Sequence, residues 1–235
     1  MSEYYSHNLS GSRLKQVYDL APPRVKQYLN AELDYVQRKI HSGDLVLELG
    51  CGYGRVIPKL AERAAWVVGI DISLASLRFG QRQLEAISNC SLLRMNANML
   101  GFEDQSFNCV ICIQNGISAF HVDKRSLIVE SIRVTKRGGI VLFSSYSDKF
   151  WEERLHWFEL QAKAGLLGEI DYDKTKDGII ACKDGFTATI VRPEEFKMLT
   201  VNLNADARDF EIDRSSVIYE MTPQNNQYPT SIAPH

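Results

Sequence analysis

Between Leu45 and Val56 the sequence LVLELGCGYGRV sets three glycines, Gly50, Gly52 and Gly54, at alternate positions, beginning two residues after Glu48. A glycine-rich turn at the end of a buried strand lets the backbone approach a nucleotide-like ligand closely. The dinucleotide fingerprint G-x-G-x-x-G needs its third glycine at position 55, where Arg55 stands, so a nicotinamide-dependent oxidoreductase is disfavoured. Glu48 lies at the carboxyl end of the strand and would repel a pyrophosphate there, whereas a ligand with an ammonium and a sulfonium would be attracted. The loop therefore asks for a zwitterionic ligand that carries positive charge.

The elements that hold this loop follow from hydrophobic spacing. Val25, Tyr28, Leu29, Leu33, Val36 and Ile40 recur at helical intervals after Pro22-Pro23, and a shorter Leu14/Val17/Tyr18 stretch precedes them. Residues 1–40 thus read as an N-terminal helical segment. From position 41 an alternation begins: strand 45–50, helix 54–63, strand 66–71, helix 74–88, strand 91–96, strand 108–113, helix 123–136 and strand 139–145. That rhythm predicts an α/β fold, a Rossmann-like doubly wound sheet with right-handed crossovers. RDFEIDRSSVIYEM reads as a closing antiparallel pair at the sheet edge, which leaves the sheet mainly parallel with an antiparallel last strand.

The glycine loop resembles the first motif, E/D-x-G-x-G-x-G, of class I S-adenosylmethionine-dependent methyltransferases, matched here by Glu48-Leu49-Gly50-Cys51-Gly52-Tyr53-Gly54. Three further stretches are similar to that family: WVVGID ending in Asp71, MNANMLGFEDQSFNCVICI, and ESIRVTKRGGIVLFS. The resemblance implies S-adenosylmethionine as cofactor and S-adenosylhomocysteine as product. It implies that Asp71, beside Ile72, binds both ribose hydroxyls, a charge-assisted bidentate contact; a helix cap ahead of Ser73 is the alternative. Asn96 would hold the adenine amino group where the family often has Asp, and Ala97, Asn98 and Met99 would wall the adenine. Asn108 and Arg137 also depart from the family's usual Asp and Pro. The methyltransferase domain would span 41–222, with a mobile tail over 223–235.

The remaining candidates surround the expected methyl position. Gln114 and Asn115 follow the fourth strand and would meet the methionine end of the cofactor. His121, in QNGISAFHVD, is the candidate general base for a hydroxyl or a protonated amine, or else part of the pocket wall. The segment 147–192 reads as a helix and hairpin insertion that selects substrate, with Trp151, Arg154, Trp157 and Tyr172 as its candidate contacts. Asp184-Gly185 there signals a two-residue type I′ turn. Tyr5, with Tyr4, would close over the cofactor. No metal is required by this chemistry.

The formal charge of −2 over 235 residues, without a Lys/Arg block, disfavours nucleic acid and anionic membrane as partners. A small-molecule acceptor is expected, with the chain a monomer or a homodimer. The polar N-terminus lacks a signal-peptide core and no apolar run reaches a membrane span, which predicts a cytoplasmic protein. Cys109 and Cys112 fall in a strand-like run that points them to opposite faces, so the five cysteines read as reduced structural thiols. A methyltransferase-like module that binds the cofactor without turnover, for regulation or interaction, is the alternative to an enzyme.

Overall fold

The computed structural model describes residues 9–224, so Tyr4, Tyr5 and nearly all of the 223–235 tail lie outside the described residues. Two helices come first, α1 (Ser12–Asp19) and α2 (Pro23–Lys39). Pro23 opens α2 where a missing N–H costs nothing. The buried stripe of α2 holds Val25, Tyr28, Leu29, Leu33 and Val36 at the expected spacing, and it also holds an acid, Glu32.

The alternation follows as β1 (Leu45–Leu49), α3 (Ile57–Ala61), β2 (Trp66–Asp71), α4 (Leu74–Gln83), β3 (Cys90–Arg94), β4 (Phe107–Cys112), α5 (Gly116–Ala119), α6 (Lys124–Val134) and β5 (Thr135–Tyr146). A short 3-10 turn leads into α7 (Trp151–Lys163) and the two brief strands β6 (Ile180–Ala181) and β7 (Thr187–Ala188). The chain then forms α8 (Pro193–Thr200), β8 (Ala205–Ile212) and β9 (Ser216–Pro223). Among the described residues, seven strands make one sheet in the order β3-β2-β1-β4-β5-β9-β8. The first five are parallel, while β9 runs antiparallel to β5 and to β8. Strand order reverses between β1 and β4, and a ligand crevice belongs at the carboxyl ends of these strands.

Both faces of the sheet are covered. Leu47, Val110 and Cys112 join one apolar cluster, and Val46, Cys109 and Ile111 join the other, so Cys109 and Cys112 do point to opposite faces. All five cysteines are free thiols. Burying each such aliphatic side chain is worth about 2 kcal/mol. A third cluster lies beyond the sheet, where α1 and α2 pack Val17, Val25 and Tyr28 against Phe150, Trp157, Phe158 and Ile180.

Several boundaries differ from expectation for visible reasons. The helix expected over 54–63 starts only at Ile57, because Gly54 holds a left-handed φ of 74°. The helix expected over 74–88 ends at Gln83, and Asn89 beyond it is tied down by donating to the Ala61 and Ala64 carbonyls at 2.9 and 3.1 Å. β5 begins at Thr135 instead of 139 and takes in Arg137-Gly138-Gly139, with a register slip against Phe107/Cys109 and Gly138 at φ 72°.

The turn at Asp184-Gly185 is not type I′: of the two only Gly185 has a positive φ, 94°. Cys182 N–H donates to Phe186 O at 2.9 Å, closing a three-residue loop with the glycine as its bulge. The left-handed pair that a type I′ turn needs occurs instead between β8 and β9, where Asp213 and Arg214 both have φ 52°.

Candidate functional site

Gly50, Gly52 and Gly54 have φ values of 71°, 56° and 74°, a conformation that other residues adopt only with strain. A Cβ on Gly50 would lie 2.3 Å from the Phe120 ring. The loop is pinned to β2 by Cys51 N–H donating to Ile70 O at 2.9 Å. Asp71, at the end of β2, is braced on both oxygens: Oδ2 accepts from Gly52 N–H at 2.9 Å and Oδ1 from Ser73 N–H at 2.7 Å. The cap of α4 is Ser73, whose Oγ accepts from Ser76 N–H, so Asp71 is not the capping residue. Burial raises the Asp71 pKa above its ordinary value, and these backbone donors oppose the rise.

A cavity of about 190 Å³ opens beside this loop. Glu48, Gly50, Cys51 and Gly52 border it from the loop, Asp71 and Ile72 from the end of β2, Asn96 and Ala97 from beyond β3, and Gln114 from beyond β4. The structure thus brings together nine of the residues read from the sequence. Gly54 stands just behind them, where a Cβ would meet Leu84 at 2.7 Å.

Glu48 is 7% exposed, and its Oε2 has no hydrogen-bond partner among the described residues. Burial pushes its pKa up to about 8, with Arg55 pulling down and Asp71 pushing further up. A buried carboxylate oxygen without a donor is costly, and a cationic ligand in the cavity would remove that cost. The residues present suit such a cofactor: the glycine turn, the braced Asp71 and the unsatisfied Glu48 border one cavity.

Four expected contacts lie elsewhere. Asn98 turns its amide toward Asp123 O, and Met99 is 76% exposed, so neither walls the cavity. Asn115 is buried with its side chain donating to Thr189 O at 2.9 Å and accepting from Ser145 Oγ at 2.8 Å, which ties the end of β4 to the segment after β7. His121 is exposed, has a φ of 49° and does not border the cavity.

The expected substrate contacts are also displaced. Arg154 is 1% exposed and donates to Gly178 O at 2.8 Å and Ala188 O at 2.9 Å, with its guanidinium 4.7 Å from the Tyr146 ring centre. Trp157 is buried, and its indole N–H donates to Val17 O at 3.0 Å, which fixes α1. Trp151 packs on the same cluster. Tyr172 is exposed and donates to Glu159 at 2.8 Å. None of the four borders the cavity. Tyr5 lies outside the described residues.

Other residues take the places these leave. Leu14 and Tyr18 from α1 cover the loop, and Arg55 and Phe120 complete the wall. Beneath it, Glu32 accepts from Gln114 N–H at 2.7 Å, from Ser144 Oγ at 2.9 Å and from Ser216 Oγ. Burial raises the Glu32 pKa to about 7 against those hydrogen bonds. Glu32 thereby braces Gln114 and Asn115, two consecutive left-handed residues with φ 58° and 63°.

Comparison with known proteins agrees with this geometry. The profile of a family described as methyltransferase domain matches residues 46–139. A ubiquinone biosynthesis O-methyltransferase of Pseudomonas fluorescens is 33% identical over 138 residues, 57% of this chain and 55% of that protein. The chain therefore spans about half the length of the curated relatives it matches. The PH0226 protein of Pyrococcus horikoshii superposes with a TM-score of 0.65 at 19% identity over 95% of this chain and all of that one. A Methanococcus maripaludis protein described as a putative S-adenosyl-L-methionine-dependent methyltransferase gives 0.65 at 10% identity, covering 93% and 95%; both share the fold of this chain. Residues 46–139 thus match the methyltransferase-domain family, and the chain has the fold of the solved protein described as a putative S-adenosyl-L-methionine-dependent methyltransferase.

Proposed function

We propose that the protein transfers the methyl group of S-adenosylmethionine to a small-molecule acceptor. The observation that carries this reading is Glu48, a buried carboxylate with an oxygen that no described residue satisfies, facing the same cavity as the braced Asp71. The cofactor, when bound, supplies a methyl group already activated by a sulfonium. The chain's part is to hold and shield: Asp71 offers a fixed carboxylate to two hydroxyls, Glu48 offers negative charge to an ammonium, and Leu14, Tyr18 and Phe120 exclude water.

Two facts favour a small acceptor over a polymer. The formal charge is −2, without a basic block, and α1 covers the loop with Leu14 and Tyr18. Relatives named for quinone biosynthesis, such as a Thermobifida fusca demethylmenaquinone methyltransferase 34% identical over 109 residues, point the same way. Exposed His121 has no place in this reading as a base.

Calorimetric titration of S-adenosylmethionine and S-adenosylhomocysteine, with NAD as control, tests the cofactor part. Asp71→Ala is expected to weaken both by about 100-fold, since it removes two charge-assisted hydrogen bonds. A panel of amines, phenols, thiols and carboxylates assayed for S-adenosylhomocysteine release tests the rest. Tight cofactor binding without turnover on any of them would favour a cofactor-binding regulatory module.

A further inference from the structure

Glu32 is a fully buried carboxylate that does not border the cavity, so methyl transfer leaves it without a direct task. It reaches from the apolar stripe of α2 to three other elements. Oε2 accepts from Gln114 N–H at 2.7 Å, just past β4, and from Ser144 Oγ at 2.9 Å in β5, while Oε1 accepts from Ser216 Oγ in β9. A buried acid is costly unless it is paired, and here three hydrogen bonds pair it.

What Glu32 holds is strained. Gln114 and Asn115 are consecutive non-glycine residues with positive φ, a conformation that persists only where its surroundings fix it. Asn115 is fixed by Thr189 O and Ser145 Oγ, and the Gln114 N–H by Glu32, with Ser144 Oγ also at 2.7 Å. From that turn the Gln114 side chain reaches the cavity wall, where its Oε1 accepts from Arg55, whose guanidinium lies 4.2 Å from the centre of the Tyr18 ring.

The surroundings accommodate Glu32 in either proton state. Ser216 Oγ also lies 3.2 Å from Ser145 O. With Glu32 ionised, Ser216 donates to Oε1; with Glu32 protonated, Oε1–H donates to Ser216, whose own proton turns to Ser145 O. Oε2 keeps the Gln114 N–H in both states, but a charged acceptor holds it about twice as strongly as a neutral one. Burial raises the Glu32 pKa to about 7, against its three hydrogen bonds and the positive charge of Arg55 from the glycine loop. Tyr28 from α2, Cys112 from β4 and Tyr146 from β5 also face Glu32, and burial raises all three, so they stay neutral through this range.

We propose that Glu32 is a positioning residue that couples cofactor binding to the release of a proton: ionised, it fixes the Gln114–Asn115 turn and with it one side of the cavity, and protonated, it holds that turn less firmly. This rests on the S-adenosylmethionine reading and adds to it a group that touches no ligand.

Calorimetry of S-adenosylhomocysteine with the full chain tests it, on the wild type and Glu32→Gln at pH 5.5, 7 and 8.5, with the melting temperature of each as a folding check. Glutamine keeps the volume and an acceptor for Gln114 N–H but stays neutral. The ionised chain is expected to bind about tenfold more tightly than the neutral one, so the wild type should match Glu32→Gln within about twofold at pH 5.5 and exceed it about tenfold at pH 8.5. At pH 7, titrations in phosphate and in Tris should show about 0.4 of a proton more released by the wild type than by Glu32→Gln, since whatever Glu48 releases is common to both. An affinity ratio that does not change with pH, or equal proton release, would overturn the proposal and leave Glu32 a structural group. No proton release by the wild type at pH 7 would overturn it without any variant. A wild type that binds no S-adenosylhomocysteine at any pH would instead remove the cofactor reading.

Discussion

The cofactor wall and the segment 147–192 contain the same kinds of side chain, the first bordering a cavity and the second packed inside a cluster. In the wall, Glu48 Oε2 and Gln114 Nε2 have no partner among the described residues, and Arg55 faces a cavity. In the segment, Arg154 donates to two carbonyls at 2.8 and 2.9 Å and lies against the Tyr146 ring, and Trp157 donates to Val17 O. Arginine with aromatics therefore marks no site by itself. Nor does an unpaired buried atom by itself, since Gln161 Nε2 in α7 also lacks a hydrogen-bond partner among the described residues; what separates the wall from the packing hub is that its unpaired atoms belong to residues that border a cavity.

The largest consequence concerns pH. Glu48 and Glu32 have folded pKa values raised from 4.5 to about 8 and about 7 by burial, so the folded chain holds more protons than the unfolded one between those limits. Their contribution to stability is complete below about pH 4.5 and is lost as pH rises through 7 and 8. Glu130, Glu211 and Glu220 are held below their ordinary values and are ionised across that window, while exposed His121, lowered chiefly by burial, acts with the opposite sign. The ligand-free protein is expected to be more stable at pH 5 than at pH 8 by on the order of 4 kcal/mol, and Glu48→Gln with Glu32→Gln to flatten the difference. Denaturant melts at the two pH values measure it. Equal stability at both would mean that the wall is compensated after all, and the contrast with the segment would fail.

Arg154 tests the other side. Arg154→Met keeps much of the side-chain volume but leaves the Gly178 and Ala188 carbonyls without their donor inside a buried cluster. The expected cost is about 3 kcal/mol of unfolding free energy. Affinity of the folded variant for S-adenosylhomocysteine should stay within about twofold of wild type, because no cavity-lining group is removed. A variant of unchanged stability that loses cofactor affinity or turnover would move Arg154 back to the site that its sequence context suggested.

The legible part of the site was the part contiguous in sequence. Glu48 to Gly54 is one loop, Asp71 ends a strand whose periodicity is plain, and the parallel order follows from the alternation of strands and helices. Arg55 stood in view but counted only as a missing glycine, since its partners Tyr18 and Gln114 are brought to it by α1 and by the turn after β4. Glu32 had a signal, an acid on the apolar stripe of α2, but its serine partners Ser144 and Ser216 lie more than a hundred residues away along the chain. The aromatic stripe of α7 was open to either reading, core or pocket: residues at helical spacing specify a face, and whether that face meets solvent, ligand or core depends on α1 and α2.

Tyr172 gives the mildest and sharpest check on the contrast. It is 64% exposed, and its hydroxyl makes a single bond to Glu159 at the surface, outside the apolar cluster that holds Trp157. An exposed hydrogen bond of this kind contributes little, so Tyr172→Phe is expected to change stability by less than about 0.5 kcal/mol and S-adenosylhomocysteine affinity by nothing measurable. Once an acceptor is found, its KM and kcat should be equally unmoved. A tenfold rise in KM with kcat unchanged would mean that the segment carries acceptor contacts despite its packed interior, and the division between wall and hub would then have to be drawn within the segment rather than at its border.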